Sequence, residues 1–338
     1  MQPKIILAFE SSCDDTSVAL VNTDYKIIVN LVSSQLEHLQ FGGILPELAS
    51  RLHLQNILHL TDEALKRSGI SLDQVDSLAV SINPGLIGSL LVGLSFAKSL
   101  AWSLGKPLIT VNHMLAHIFA NFIPVPGIEA PFLALVVSGG HTELVHFDTL
   151  TSFQVVGKSL DDAAGECFDK TAKLLGLGFP GGPVIDNLAK DGDPNAIHFP
   201  RALARKDDFN FSYSGLKTAV RTWFAAEVDN EQPHNMPDIA ASLQQAIIDP
   251  LIKKSIAYAL KHRLRSILLA GGVAANSALR AQLSAMAAKK GITVYFPPVS
   301  LCMDNAAMVA AAAVPKLQAG IFSPLSVNAF SQKGTKAI

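Results

Sequence analysis

Cysteine is scarce: 338 residues hold only Cys13, Cys167 and Cys302, an odd number with no Cys-x-x-Cys spacing. That count argues against a disulfide framework and makes the cytoplasm the expected compartment. Charge is sparse as well, at 16% of residues with a formal net charge of −1. No whole-chain field attracts a polyanion, so a nucleic-acid substrate has to be met by a local patch or through a partner. The longest apolar helix-like run, "SLLVGLSFAKSLAW", is interrupted by Lys98 and reads as too short to span a membrane. The opening "MQPKIILAFESS" has one Lys, five apolar residues and then an acid, which reads as too short for a signal peptide.

What is present is hydrophobic: 49% of residues, in a chain long enough for two domains with a core each. The two halves share a pattern. "KIILAFESSCDDTSVALV" (4–21) and "PFLALVVSGGHTELVHF" (131–147) both read as strand, turn of small and polar residues, strand. Each is followed later by a strand, a Gly-containing loop and an Ala/Leu-rich helix, "VDSLAVSINPGLIGSLLVGLSFAKSLAW" and "RSILLAGGVAANSALRAQLSAMA". A repeat of half the chain predicts a duplicated α/β fold with a ligand cleft between its lobes. "IPVPGIEAP" marks the boundary. The expected division is 1–128, 129–300, and a tail from 301 to 338 returning to the first lobe. Backbone N–H groups of the two hairpin turns suit a nucleotide's phosphates, although Gly-Gly in either turn alone also makes a tight hairpin.

His113 and His117, in "VNHMLAHIFANF", lie four residues apart and so on one helix face, where both imidazoles can reach one metal. A structural pair is the competing reading. A His-Glu-x-x-His peptidase needs a Glu as base, and the intervening residues are Met114, Leu115 and Ala116. Asp304, before an Ala-rich helical run, is either an N-cap or the third ligand of a two-His, one-carboxylate set suited to ferrous iron or catalytic zinc. Asp161, Asp162, Glu166 and Asp169 crowd one helix opening; four acids exceed what capping needs, so a ligand-facing role is expected for one or two. Asp186 reads as a helix opener or a ribose hydroxyl acceptor, and Asn276 as a cap or an adenine reader. "RKDDFNFSYSGLKTAVRTW" mixes basic and aromatic residues, as single-stranded RNA contacts do and as a loop folded onto a small core does. Two basic groups, Arg201, Arg205 and Lys206, then Lys253, Lys254, Lys261, His262, Arg263 and Arg265, are either patches or solvated faces.

In order along the chain, "ESSCDDTSVAL", "GGILPELASRLH", "PGLIGSLLVG", "NHMLAH", "LVVSGGHTEL", "DDAAGECFDKTAKLLGLGFPGGP", "FSYSGLKTAV", "LAGGVAAN" and "MDNAAM" closely resemble the TsaD family of tRNA threonylcarbamoyladenosine synthase subunits. The resemblance implies an actin-like, Hsp70-like (ASKHA) fold. It implies transfer of threonylcarbamoyl from threonylcarbamoyl-adenylate to N6 of adenosine 37 of tRNA, with AMP leaving. On the family pattern His113, His117 and Asp304 bind iron or zinc, and Val136, Val137, Ser138, Gly139, Gly140, Asp169, Gly182, Asp186 and Asn276 bind the adenylate or an ATP/AMP-type nucleotide. The partners implied are tRNA, a TsaB-like paralogue, a TsaE-like ATPase and a TsaC-type enzyme that makes the adenylate. Two departures are "HMLAH" for the common "HMEGH" and "SCDDT" for "SCDET". The general base is open among Glu10, Asp14, Asp15 and His141. Alternatives are a small-molecule kinase of the same superfamily, a metallopeptidase and a nucleotide-binding scaffold.

Overall fold

The structure is a computed structural model and describes residues 2–41, 43–203, 207–228 and 234–331. It divides into two compact units: residues 1–129, 150–152 and 300–338, and residues 130–149 and 153–299. The first unit begins with β1 (Ile5–Glu10), β2 (Asp15–Asn22) and β3 (Ile27–Ser34), followed by α1 (Pro46–Ser68) and β4 (Ser77–Asn83). Then come α2 (Ile87–Leu104), β5 (Leu108–Asn112) and α3 (His113–Phe119).

The second unit runs β6 (Phe132–Val137), β7 (Thr142–Phe147), β8 (Phe153–Lys158), α4 (Ala164–Leu174) and α5 (Gly181–Leu188). It continues with α6 (Ser214–Val228), α7 (Met236–Lys261), β9 (Ser266–Ala270), α8 (Ser277–Ala288) and β10 (Thr293–Tyr295). The chain then returns to the first unit as α9 (Ala306–Gln318).

Each unit is built on a five-stranded mixed sheet, in order β3-β2-β1-β4-β5 and β10-β9-β6-β7-β8. Read from the opposite edge, the second order repeats the first, and so do the pairing senses. An antiparallel meander (β1–β2–β3, β6–β7–β8) is extended by parallel strands on the other side of its first member. The fold is a duplicated α/β fold. Strands β4, β5, β6 and β7 are buried from end to end, and β6 accordingly runs wholly apolar (FLALVV) rather than alternating.

In α1 the buried residues Ala49, His53, Ile57, Thr61 and Ala64 recur every three or four positions and form one face, which packs on β2 and β3. Helix α9 is apolar all round and correspondingly buried, packed against β1, β2 and α3. Helix α2 corrects one expectation. Despite Lys98, its 18 residues have the length and mean hydropathy (1.4) of a membrane span. In the fold it lays Leu90, Gly93, Leu94 and Ala97 against the sheet beside β4, so the apolar stretch is used in packing.

Candidate active site

Helix α3 starts where β5 stops because the Asn112 side chain accepts hydrogen bonds from the Met114 and Leu115 N–H groups. That cap makes His113 the first helical residue and His117 the one a turn later, both buried. Asp304 arrives on the loop before α9. It is not that helix's cap: Asn305 is, accepting from the Met308 N–H at 3.0 Å. Asp304 is therefore free to face the histidines, its Oδ1 lying 3.1 Å from His117 Nε2 and 3.5 Å from His113 Nε2. One ligand atom from each of the three residues falls within a 4.8 Å span.

Behind His113, the fully buried Glu10 takes Nδ1 at 3.0 Å, and Ser12 Oγ lies 3.2 Å from the same nitrogen. Glu10 accepts, so Nδ1 carries a proton and Nε2 directs its lone pair at the Asp304 carboxylate. Two acceptors so placed need a proton or a cation between them. The donor set therefore fits a small divalent ion, with Glu10 and Ser12 orienting one ligand from behind. His117 Nδ1 is buried with no hydrogen-bond partner among the described residues. Burial alone pushes the His113 pKa down, but the Asp304 and Glu10 carboxylates overcome it and raise it to about 9. Burial likewise opposes ionisation of Asp304, yet the two histidines hold it at about 2. The pocket is built to keep its carboxylates charged, and an ion and a proton compete for the same place.

The adjacent roles of Asp304 and Asn305 can be separated. Asn305→Ala is expected to cost about 1 kcal/mol of stability and leave metal content unchanged. Asp304→Ala is expected to lose the ion with little change of helix stability; thermal melts with metal analysis distinguish the two.

The turn between β1 and β2 and the two strand ends beside it carry three of the candidate bases, Glu10, Asp14 and Asp15. Glu10 is already committed to His113 and to the Ser12 N–H. Asp15 is half-buried, and its pKa is raised to about 6. Burial is the main cause, partly offset by a hydrogen bond from Ser34, with the Asp304, Asp14 and Glu10 charges adding to the rise. Since folding raises this pKa, the stability it contributes is present below about pH 4 and is lost as pH climbs through about 6. Asp15→Asn should therefore stabilise the metal-free protein at pH 8 by about 1–2 kcal/mol, two pKa units discounted for solvent screening. The gain should vanish below pH 4; denaturant titrations at both pH values check it.

In the second unit, the loop Val136–Gly140 closes on itself: the Ser138 N–H donates to the His141 carbonyl at 2.8 Å, and the His141 N–H to Ser138 Oγ at 3.1 Å. Gly139 and Gly140 are exposed, with open space where a side chain would stand. The tight approaches come from two glycines that sequence reasoning passed over. A Cβ on Gly165 would meet the Ser138 carbonyl oxygen at 2.4 Å, and one on Gly271 the Val137 carbonyl oxygen at 2.4 Å. The available signal was a glycine directly after a strand (Gly271) and one in a helix's first turn (Gly165).

Asp169 accepts from the Gly181 N–H at 2.8 Å, at the start of α5, and burial raises its pKa. Asp186 does not open a helix, as one reading had it. It lies in the later half of α5 and accepts from the Ser277 N–H at 3.1 Å and hydroxyl at 2.8 Å. Asn276, next to Ser277, caps α8 through the Leu279 N–H and donates to Gln244. Asp169 thus lies at the start of α5 against Gly181 and Gly182, and Asp186, one turn beyond Gly182 on the same helix, meets the α8 start at Asn276 and Ser277.

Three of the four acids and several of the basic residues have partners within the fold. Asp161 accepts from Ser212, Tyr213 and Ser214 at the start of α6. Asp162 pairs with Lys170 and Lys217, and Glu166 pairs with Lys170. The surplus acids hold the fold together. In the basic–aromatic stretch Phe211 and Tyr213 are core residues, buried too deeply to stack on bases. Arg201 pairs with Asp249, and Lys254 is buried with its Nζ on the Asp208 carbonyl. Lys253 and Lys261 pair with Asp249 and Asp207. Arg205 and Lys206 lie outside the described residues.

The profile of the family described as "TsaD: tRNA N6-adenosine threonylcarbamoyltransferase" matches residues 26–311. A protein of that name from Kosmotoga olearia is 50% identical over 325 residues, covering 96% of this chain and 97% of its own length. One from Moorella thermoacetica is 49% identical, covering 96% and 95%. Among solved structures, full-length HypF in its phosphate- and nucleotide-bound form aligns with a TM-score of 0.63 at 13% identity, covering 95% of this chain and 56% of HypF. Component A of the Acidaminococcus fermentans (R)-2-hydroxyglutaryl-CoA dehydratase aligns at 0.51 and 15%, covering 93% and 99%. These structural likenesses bear on the fold alone.

Proposed function

Because the chain belongs to the TsaD family of tRNA N6-adenosine threonylcarbamoyltransferases, we propose that His113, His117 and Asp304 hold a divalent ion at the centre of its acyl transfer. The activity is transfer of threonylcarbamoyl to N6 of a tRNA adenosine. Its finer terms are part of the proposal: threonylcarbamoyl-adenylate as donor, adenosine 37 as acceptor, AMP as leaving group, and iron rather than zinc as the ion. The observation that carries the reading is the convergence of both Nε2 atoms on Asp304 with Glu10 fixed behind His113. Bound there, the ion would supply Lewis-acid polarisation of a carbamoyl or phosphoryl oxygen.

The chain's own residues do the rest. Glu10 and Ser12 keep His113 in the tautomer whose Nε2 faces the ligand position. The adenylate rests on the loop Val136–Gly140, whose exposed glycines leave room for an anion against backbone N–H groups. Asp169, Gly182, Asp186 and Asn276 complete its site. Adenine N6 must lose a proton during attack, and a base is best tuned near the working pH. Of the four candidates we assign Asp15, which begins β2 beside the turn that presents Ser12 to His113 and whose pKa burial raises to about 6. The good leaving group makes positioning and exclusion of water the main demands.

A TsaB-like paralogue is placed on α1, where Leu54 and Leu58, one turn apart, are 70% and 61% exposed. A TsaE-like ATPase, a TsaC-type supplier of the adenylate and a cytoplasmic location complete the reading. The kinase and peptidase alternatives have no support in the relatives, and the peptidase also lacks its Glu. The test is transfer of labelled threonine to unmodified tRNA with the TsaC-type enzyme and partners present, alongside metal analysis. Turnover by protein with no bound ion would overturn the metal's part.

A further inference from the structure

His53 lies in the middle of α1, fully buried, and belongs to neither the ion's ligands nor the nucleotide loop. Its Nε2 is 3.0 Å from the Cys13 carbonyl oxygen and its Nδ1 is 2.8 Å from Thr16 Oγ1. A carbonyl only accepts, so Nε2 carries the proton and Nδ1 takes the Thr16 hydroxyl's. Burial pushes the His53 pKa down, which keeps the ring neutral and both bonds intact.

Those bonds hold the turn 11–14. Its other ties come from elsewhere in the same unit. The Ser12 carbonyl accepts from the Leu86 N–H at 2.8 Å, the Asp14 carbonyl from the Gln35 N–H at 3.1 Å, and Ser11 Oγ donates to the Ser89 carbonyl. Gly85 comes so close that a Cβ there would meet the Ser12 carbonyl oxygen at 2.6 Å. Successive carbonyls at 12, 13 and 14 are thus each tied to a different element, and the tie to α1 is a side chain. The same turn presents Ser12 to His113 Nδ1.

We propose that His53 is a positioning residue for the transfer reaction: by gripping Cys13 and Thr16 it fixes the turn that orients His113 and presents Asp14 and Asp15. The inference rests on the ligand assignment above and adds to it a residue that touches neither ion nor substrate. A buried histidine serving packing alone would be replaceable by a hydrophobe of similar size at no cost beyond stability. One that sets the turn is not, because the Cys13 carbonyl loses its donor.

The test compares His53→Leu, His53→Gln and Thr16→Val with wild type, as full chains with their partners. Three quantities are read: kcat and KM for tRNA per folded molecule, cobalt(II) content, and the visible spectrum of the cobalt-loaded protein. Expected for His53→Leu are kcat lowered by about ten- to a hundredfold, KM within about twofold, full cobalt content and a shifted spectrum. His53→Gln, whose amide N–H can reach the Cys13 carbonyl, should recover to within a few-fold of wild type. Thr16→Val, which frees the ring while keeping the side chain's shape, should lower kcat in the same direction and covers the case of a misfolded His53→Leu. Unchanged kcat and spectrum per folded molecule in His53→Leu or in Thr16→Val would overturn the inference alone. Wild type that binds no cobalt would overturn the ligand assignment with it.

Discussion

His117→Ala should bind no metal and lose threonylcarbamoyl transfer by more than about a hundredfold while remaining folded. The two histidines leave different groups behind when removed. His117 touches Asp304 through Nε2, and its Nδ1 has no hydrogen-bond partner among the described residues, so its removal leaves Asp304 paired with His113 and strands no other group. His113→Ala should lose metal and activity equally but also strand the fully buried Glu10 carboxylate, which His113 holds ionised against the pull of burial. An uncompensated buried charge costs about 3–5 kcal/mol, so this variant should melt well below the other. Metal content, melting temperature and single-turnover transfer together test the assignment. Full metal stoichiometry in the double variant would remove these residues as ligands.

The second large effect is expected at Gly271. Its φ of +88° is one that a side chain adopts only under strain, and a Cβ would meet the Val137 backbone at 2.4 Å. Backbone cannot yield as a flexible side chain does. Gly271→Ala should cost about 2–4 kcal/mol, strain and overpacking together, and weaken AMP binding more than tenfold by displacing the loop Val136–Gly140. Gly139→Val makes the contrast. Space around Gly139 is open, so stability should stay within about 0.5 kcal/mol of wild type, yet AMP binding should be nearly abolished because the new side chain would fill the proposed phosphate position. Calorimetry with AMP and circular dichroism separate the cases. A folded Gly139→Val that binds AMP like wild type would move the nucleotide away from this loop.

The strands and the duplication were legible because buried parallel strands write themselves as uninterrupted apolar runs, and two such patterns recur in the same order. The histidine pair was legible because four residues is one helical turn. Asp304 was half legible: its neighbour Asn305 is an equally good cap, and sequence cannot say which of two adjacent residues turns inward. The acids at 161, 162 and 166 could not be told from Asp169 in sequence because their partners, Ser212, Ser214, Lys170 and Lys217, include residues up to 55 positions away. Lysines bound to a distant backbone carbonyl, like Lys254, look in sequence the same as solvated ones. His53 gave no local sign at all, since both its partners belong to a hairpin folded long before it in the chain.

The return of the chain as α9 has a consequence for biosynthesis. A ribosome delivers His113 and His117 early, but Asp304 and the helix that fills the first sheet's face come last. Roughly 190 residues separate His117 from Asp304. At about 5–20 residues per second, the nascent chain carries the two proposed histidine ligands for roughly 10–40 s while the second unit is being synthesised. An ion that needs all three proposed ligands would be held only once the chain has been made through Asp304 and α9, so metal loading would follow synthesis of the second unit rather than precede it.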